Sequence, residues 1–421
     1  MTRSTPPHPS TFLVTNSVAL NGGDAAILMG LRRGLREAFG EARVTVADDA
    51  WGVAASAHPD LSFVPPLHGT SVRARTALGG LARSVRRRRV SAGRALLGTA
   101  PGLARAVLPR EAREQIRLLE GARAAISTGG TYLVEHYPLR RRLESIDIPA
   151  RMGVPTYLYT QSLGPFRTPA NARGVADVLS RVRRIFLRDE RSRDHLLEIG
   201  VEGDKLGVFP DAAFALARTP VPRPEGAIRV AVSVRHWGHH VARPVEEGQR
   251  MYRRSIAAAV RRLAGSGVAV TFLSTCQGQP AYRTDDSRYA RRIVEEELAG
   301  VGGVRVDEAF RTPDELIDEL GRYHMVIATR MHFAILALCA GVPVAPIAYE
   351  FKTAELFEGL GWGDRVVDLE TITPDRLLAS VDDTLDAADR DRIRIAELLP
   401  GLREGALRPA RVIREDLEAS P

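Results

Sequence analysis

From Thr11 onward, short apolar runs alternate with amphipathic stretches of helical period nearly to the end of the chain. "TFLVTN" (Thr11 to Asn16) reads as a strand. "DAAILMGLRRGLREAFG" follows it, with Ile27, Leu31, Leu35 and Ala38 on one helical stripe and Gly40 as a stop. "RVTVAD" is the next strand. "AAIST" (Ala124 to Thr128), "PTYLYTQ" (Pro155 to Gln161) and "RIFLRD" (Arg184 to Asp189) come later, each ending in a polar or glycine-bearing turn. Such alternation predicts parallel sheets of the α/β class.

The segment from Ala217 to Ile228 breaks the rhythm with three prolines and a glycine, and reads as a linker. Alternation then restarts with "RVAVSVR", a helix through "YRRSIAAAVRRLAGSG", "AVTFLST", a helix ending near Leu298, "MVIATR" and "VPVAPIA". A chain of 421 residues exceeds one ordinary core. The expected organisation is therefore an N-terminal Rossmann-like domain (1–217), a linker (218–228), a C-terminal Rossmann-like domain (229–372) and a helical tail (373–421) packing across them. Two such halves would enclose a cleft, with ligands at the carboxyl ends of the strands.

Composition narrows the class. A hydrophobic content of 44% and a charged content of 26% fit a soluble globular protein. No apolar run reaches the length of a membrane span, and the N-terminus lacks the apolar core of a signal peptide, so a cytoplasmic protein is expected. The two cysteines, Cys276 and Cys339, have no metal-ligand spacing and imply no disulfide framework. Much of the formal charge of +8 lies in the arginine-rich run from Arg73 to Leu97. That run is either a solvated helical face or a contact for an anionic partner, such as the inner face of a membrane or a phosphorylated acceptor. It lacks interleaved aromatics, and no nucleic-acid partner is expected.

Several turns carry polar groups. "TNSVALNGGDAAIL" runs strand, glycine turn, helix, but its spacing is neither G-x-G-x-x-G nor a P-loop. Asp24 sits where the helix would be capped and would repel a phosphate, so Asn21 and Asp24 suit sugar hydroxyls; the plain alternative is a cap and a tight turn. Gly129 and Gly130 follow a strand and would let a ligand approach the backbone, or form an ordinary turn. Gln161 and Ser162 end another strand. Arg188 ends a third, with Asp189 or Ser192 as the cap of the next helix. In "SVRHWGHH", Arg235 is a candidate anion ligand. The cluster His236, His239 and His240 lacks a zinc-site pattern, so no metal is expected.

The richest stretch is "ATRMHFAILALCAGVPVAPIAYEFK", Ala328 to Lys352. It reads strand, helix with Gly341 as its stop, strand. Arg330 and His332 then stand at a helix N-terminus, where free amides and the dipole attract anions. Arg330 offers a bidentate fork, and His332 can titrate near neutral pH. Lys352 converges from the next strand end. Lys205 and Lys352 are the only lysines among 59 basic residues, which makes Lys352 conspicuous.

Together "NGGDAAI", "STGG", "QSLGPF", "LRDERS", "FPDAAFAL" and "TRMHFAILALCAGVPVAPIAYEFK" resemble the polysaccharide pyruvyl transferase family, over roughly Thr11 to Gly361. The resemblance implies two Rossmann-like domains in a GT-B-like arrangement with a central cleft. It implies transfer of pyruvate from phosphoenolpyruvate to a sugar or lipid-linked glycan as a ketal, with no metal or other cofactor. Under it, Arg188, His332 and Lys352 match catalytic positions and Arg235 and Arg330 donor-binding ones. Asn21, Gly23, Asp24, Gly130 and Gln161 would line the acceptor side. A GT-B glycosyltransferase using a nucleotide sugar, and a non-catalytic sugar-binding member of the fold, are the alternatives. The acceptor sugar, its ring position and the oligomeric state are not legible, and the arginine-rich run has no counterpart in the resemblance.

Overall fold

The computed structural model describes residues 10–66, 85, 88–90, 92–93, 96–135, 137–219 and 224–419. The arginine-rich run from Arg73 to Leu97 lies largely outside them, as do residues 220–223 of the expected linker. The chain divides into two compact units. The first comprises the chain up to Ala19, Leu31–Ala212 and the chain from Leu407 onward; the second comprises Leu20–Gly30 and Ala213–Ala406. The turn after the first strand was expected to belong wholly to the N-terminal domain. Instead it groups with the second unit, and the tail is divided between the two.

The sheet of the first unit is built from β1 (Ser10–Ser17), β2 (Ala42–Asp48), β3 (Ser62–Val64), β4 (Ala124–Ser127), β5 (Gly130–Leu133), β6 (Thr156–Leu163), β7 (Arg184–Leu187) and β8 (Leu206–Val208). Its order is β3-β2-β1-β4-β6-β7-β8, with β5 also on β6, and each of these pairings is parallel. A parallel sheet is covered on both faces, so its strands read as continuous apolar runs. All eight residues of β6 are buried. Leu158, Leu163, Ile185 and Leu187 pack with Ile146, Val175 and Leu196 into one core cluster. Leu13 and Ala125 pack with Leu108, Ile116 and Ile148 into another. Buried polar residues mark the carboxyl ends of β1, β4 and β6: Thr15, Asn16, Ser17, Ser127, Thr160, Gln161 and Ser162.

The second unit repeats the plan with β9 (Arg229–Ser233), β10 (Ala269–Phe272), β11 (Val304–Val306), β12 (Met325–Ala328), β13 (Val344–Ala348) and β14 (Val367–Asp368). The order is β11-β10-β9-β12-β13-β14, again parallel. Val230, Val232, Val270, Phe272, Ile327 and Ile347 form its core with Tyr252, Ile256 and Val260. In both sheets the strand order reverses direction beside the first strand, between β1 and β4 and between β9 and β12. Ligands of doubly wound sheets bind at the carboxyl ends beside such a point. No helix among the described residues is long and apolar enough to cross a membrane.

Candidate functional site

The helix Met331–Cys339 leaves the carboxyl end of β12, and every one of its residues is buried except His332, which is partly so. Burying side chains such as Phe333, Ile335 and Leu336 contributes about 1.5–3 kcal/mol each, so the first turn that carries His332 is rigidly held. Gly341, at φ +76°, ends the helix, as the sequence predicts. Arg330 occupies the N-cap position, also as predicted.

The structure gives Arg330 a partner that the sequence reading did not: its Nε and Nη2 donate to the two carboxylate oxygens of Asp286, at 2.8 and 2.7 Å. Asp286 is buried and also accepts from Ser274 Oγ at 2.6 Å. Burial alone would lower the Arg330 pKa, but the Asp286 carboxylate overrides it and the pKa is raised. The pair is neutral as a whole. Arg330 is therefore a fixed fork anchored to a carboxylate rather than a whole uncompensated charge for a donor.

Arg235 follows β9. Its guanidinium lies 4.2 Å from the centroid of the Tyr349 ring and 5.1 Å from that of Trp237, and its buried Nε has no hydrogen-bond partner among the described residues. It makes no ion pair among them either. Lys352 lies in the first turn of the helix Phe351–Gly359 rather than on the strand end, with Nζ 2.5 Å from Oε2 of Glu350 and 5.9 Å from the Tyr349 ring centroid. Tyr349 is thus a common neighbour of Arg235 and Lys352, and it adds to the upward shift at Arg330.

The turn Asn21 to Asp24 joins the same group. Asn21 Oδ1 accepts from Gly23 N at 2.9 Å, so Asn21, not Asp24, caps the helix Gly22–Phe39. Asn21 Nδ2 donates to Tyr282 Oη at 3.2 Å, and Cys276 Sγ donates to Asn21 Oδ1 at 3.4 Å. A Cβ at Gly22 would collide with the Thr275 carbonyl, and one at Gly23 would lie 2.7 Å from His332 Nδ1. The two glycines are required because backbone packs directly on Thr275 and on the His332 ring. Burial, then Cys276 and the Asp24 carboxylate, push the Tyr282 phenol up to about 12. Burial likewise raises the Cys276 thiol, with Asp286 and Asp24 adding to the effect. Asn21, Gly23 and Asp24, expected on the N-terminal side away from His332, are in the same unit as His332.

Arg188, Gly130 and Gln161 belong to the first unit. Arg188 ends β7, and it and Asp211 are about 95% buried. Its Nη1 donates to Asp211 at 2.6 Å, Nε to Ser162 Oγ at 2.7 Å and Nη2 to Thr131 Oγ1 at 2.8 Å. With all three nitrogens engaged in its own unit, Arg188 holds strand ends together. Asp189 caps the next helix by accepting from Ser192 N at 2.7 Å, as expected. Gly130 has φ +136°, and the Tyr132 ring, not open space, faces the position of its missing Cβ. Backbone conformation and Tyr132 explain this glycine. Gln161 is fully buried and donates to Thr128 O at 2.7 Å and Ser127 Oγ at 2.8 Å.

Of the three histidines after β9, His240 pairs with Glu370 at 3.2 Å, His236 packs on Tyr289 and His239 on Trp237. Sequence reasoning missed Asp286, Tyr282, Cys276 and Tyr349. Tyr349 stands directly before Glu350 and Lys352 and was within reach; the other three meet the turn only through the fold.

The fold can be compared with solved structures. A protein assigned as a UDP-N-acetylglucosamine 2-epimerase from Listeria monocytogenes aligns over 98% of both chains with a TM-score of 0.61 at 13% identity. The kitacinnamycin glycotransferase aligns over 97% of this chain and 99% of its own, with a TM-score of 0.54 at 17% identity. The chain therefore has the α/β fold of two Rossmann-like units of the GT-B type. Residues 21–350 match the polysaccharide pyruvyl transferase family, and the chain belongs to that family. The amylovoran biosynthesis protein AmsJ of Erwinia amylovora is 27% identical over 281 residues, which cover 62% of this chain and 65% of AmsJ.

Proposed function

We propose that this chain transfers pyruvate from phosphoenolpyruvate to a sugar of a glycan or glycan precursor, forming a ketal and releasing phosphate. Family membership supports the class of reaction, and the likeness to an amylovoran biosynthesis protein supports a glycan acceptor. The observation that carries the reading is the grouping of His332, Lys352 and Arg235 at the carboxyl ends of β9, β12 and β13.

The chemistry follows from the donor. Phosphoenolpyruvate carries a carboxylate and a phosphate. Arg235 makes no ion pair among the described residues, and it binds one of these anionic groups while Tyr349 and Trp237 fix its plane. His332 delivers a proton to the methylene carbon, which becomes the methyl group and leaves the central carbon electrophilic. One sugar hydroxyl forms a bond to that carbon and gives its proton back to His332. A second hydroxyl then forms the other bond as the carbon–oxygen bond to phosphate breaks, and its proton leaves with the phosphate. Lys352, oriented by Glu350, stabilises the departing phosphate. Arg330, held by Asp286, orients the start of the His332 helix.

The reading is tested by mixing protein, phosphoenolpyruvate and a panel of lipid-linked and nucleotide-linked sugars. Inorganic phosphate should appear only when both substrates are present, and a chelator should not reduce the rate. Release of a nucleotide from the sugar panel without phosphoenolpyruvate would make the chain a glycosyltransferase instead.

A further inference from the structure

We propose that Gly23 is a positioning residue for His332. The turn Asn21–Gly23, clamped by the loop from Ser274 to Asp286, sets the imidazole so that Nε2 gives the proton to the methylene carbon and takes it back from the sugar hydroxyl. The proposal deepens the reading above, because it rests on His332 as the acid. All of these parts belong to the second unit. A Cβ built on Gly23 would lie 2.7 Å from His332 Nδ1, 3.0 Å from its Cγ and 3.1 Å from its Cβ. The turn therefore lies along the Nδ1 edge of the ring. In a five-membered ring the vertex opposite the Cγ–Nδ1 bond is Nε2, which stands on the side away from the turn. The ring is only partly buried, so a substrate can reach it.

The turn has little freedom to withdraw. Asn21 Oδ1 accepts from Gly23 N at 2.9 Å and from the Cys276 thiol at 3.4 Å, while Asn21 Nδ2 donates to Tyr282 Oη at 3.2 Å. The loop that supplies these partners is itself fixed. Asp286 N donates to Cys276 O at 2.8 Å, Ser274 N to Gln277 Oε1 at 2.7 Å and Gln277 Nε2 to Ala309 O at 3.0 Å. Its last residue, Asp286, also holds Arg330 at the N-cap of the helix that carries His332. One loop thus fixes that helix at its start and the His332 ring from its side, the kind of support that keeps a catalytic group in register. The backbone does not demand a glycine at position 23. Gly22 and Gly23 open the helix Gly22–Phe39, and neither has a positive φ. What Gly23 supplies is room for the ring.

Gly23→Ala tests this, because its clash falls on a side chain, whereas that of Gly22→Ala falls on the Thr275 backbone. The His332 ring must give way, and a misplacement near 1 Å can cost about a hundredfold in rate. Turnover of Gly23→Ala should therefore fall about ten- to a hundredfold, with phosphoenolpyruvate affinity by calorimetry unchanged. Alanine is the better helix former, so this variant should melt no lower than wild type, while Gly22→Ala should melt lower. Nitrogen-15 NMR reads the ring itself. The His332 signals, identified by their loss in His332→Gln, should shift in Gly23→Ala while those of the buried His324 stay. Tyr282→Phe adds no bulk and should shift them too, by freeing Asn21. On adding phosphoenolpyruvate to the wild type, the Nε2 signal should move more than the Nδ1 signal, and the reverse order would overturn the choice of nitrogen. Unshifted His332 signals in both variants, or normal turnover in Gly23→Ala, would overturn the positioning role. So would parallel losses of turnover and donor affinity, which would make Gly23 part of the donor site. Shifted signals in a protein whose wild type never releases phosphate from phosphoenolpyruvate would sink the pyruvyl-transfer reading and leave Gly23 as the residue that sets the ring.

Discussion

Lys352 is the residue whose chemistry is most exposed to test. This chain uses arginine almost everywhere it needs a positive charge. An ammonium is a compact point charge, and a guanidinium a broad planar fork. Lys352 Nζ lies against Glu350 beside a ring already covered by Arg235, which leaves little room for a second fork. Lys352→Arg should lower turnover at least about a hundredfold, the scale of one positioned acid–base group, and steady-state kinetics decide it. Near-normal turnover would make the lysine ordinary. Arg188 makes a contrasting prediction. Removing one partner of a buried ion pair costs about 3–5 kcal/mol, so Arg188→Gln should reveal itself in denaturant unfolding by a loss of that size. A stable Arg188→Gln protein without turnover would instead restore the catalytic role the family resemblance implies. Tyr282→Phe removes the anchor of Asn21 Nδ2 and should lower turnover about tenfold, one net hydrogen bond to a positioning side chain, while leaving phosphoenolpyruvate affinity by calorimetry nearly unchanged. A loss of donor affinity alone would place Tyr282 in the donor site.

Among the elements, helix starts carry most of the polar detail. Glu135 accepts from Thr168 N at 2.8 Å, Arg167 N at 3.0 Å and Asn171 Nδ2 at 2.9 Å, capping the helix Pro169–Leu179 from outside. The Asn171 amide first, then the Thr168 and Arg167 backbone, hold its carboxyl down to about 2. A depressed folded pKa gives stability that is present above the unfolded value near 4.5 and lost as pH falls towards about 2. Glu135→Gln should therefore melt lower than wild type at neutral pH, and the gap should shrink across that window. A gap that does not change with pH would contradict the assignment. β1, β6, β9, β12 and the Met331–Cys339 helix were legible because each is an apolar run closed by a polar or glycine-bearing turn, and they stand where that pattern puts them. β3, β5, β8, β11 and β14, each of two to four residues, lack such a bounded apolar run and owe their existence to neighbouring strands. The cap of the first long helix was misread because Asn21 and Asp24 both suit the position, and only the backbone geometry chooses between them.

For the whole molecule, the repeated α/β pattern was sufficient to expect two Rossmann-like sheets, since parallel order needs a crossover between strands. The grouping of residues 20–30 with the second unit was not legible, because the local pattern of a strand and its helix says nothing of which core the turn between them joins. That grouping places Gly23 on His332, and it is the main change to the site. Arg330 and His332 were found because a charged pair at the start of an apolar run is visible in sequence. Asp286 was missed because its contact with Arg330 spans 44 residues.

The central claim is that a proton from His332 reaches the methylene carbon of phosphoenolpyruvate and that the resulting pyruvyl group is joined to a sugar. Running the reaction in heavy water and weighing the glycan product by mass spectrometry addresses it directly. The account predicts a pyruvyl ketal whose methyl group carries deuterium, formed by the wild type and reduced at least about a hundredfold in a folded His332→Gln variant. A product without a pyruvyl group, or a pyruvyl methyl free of deuterium, would contradict it.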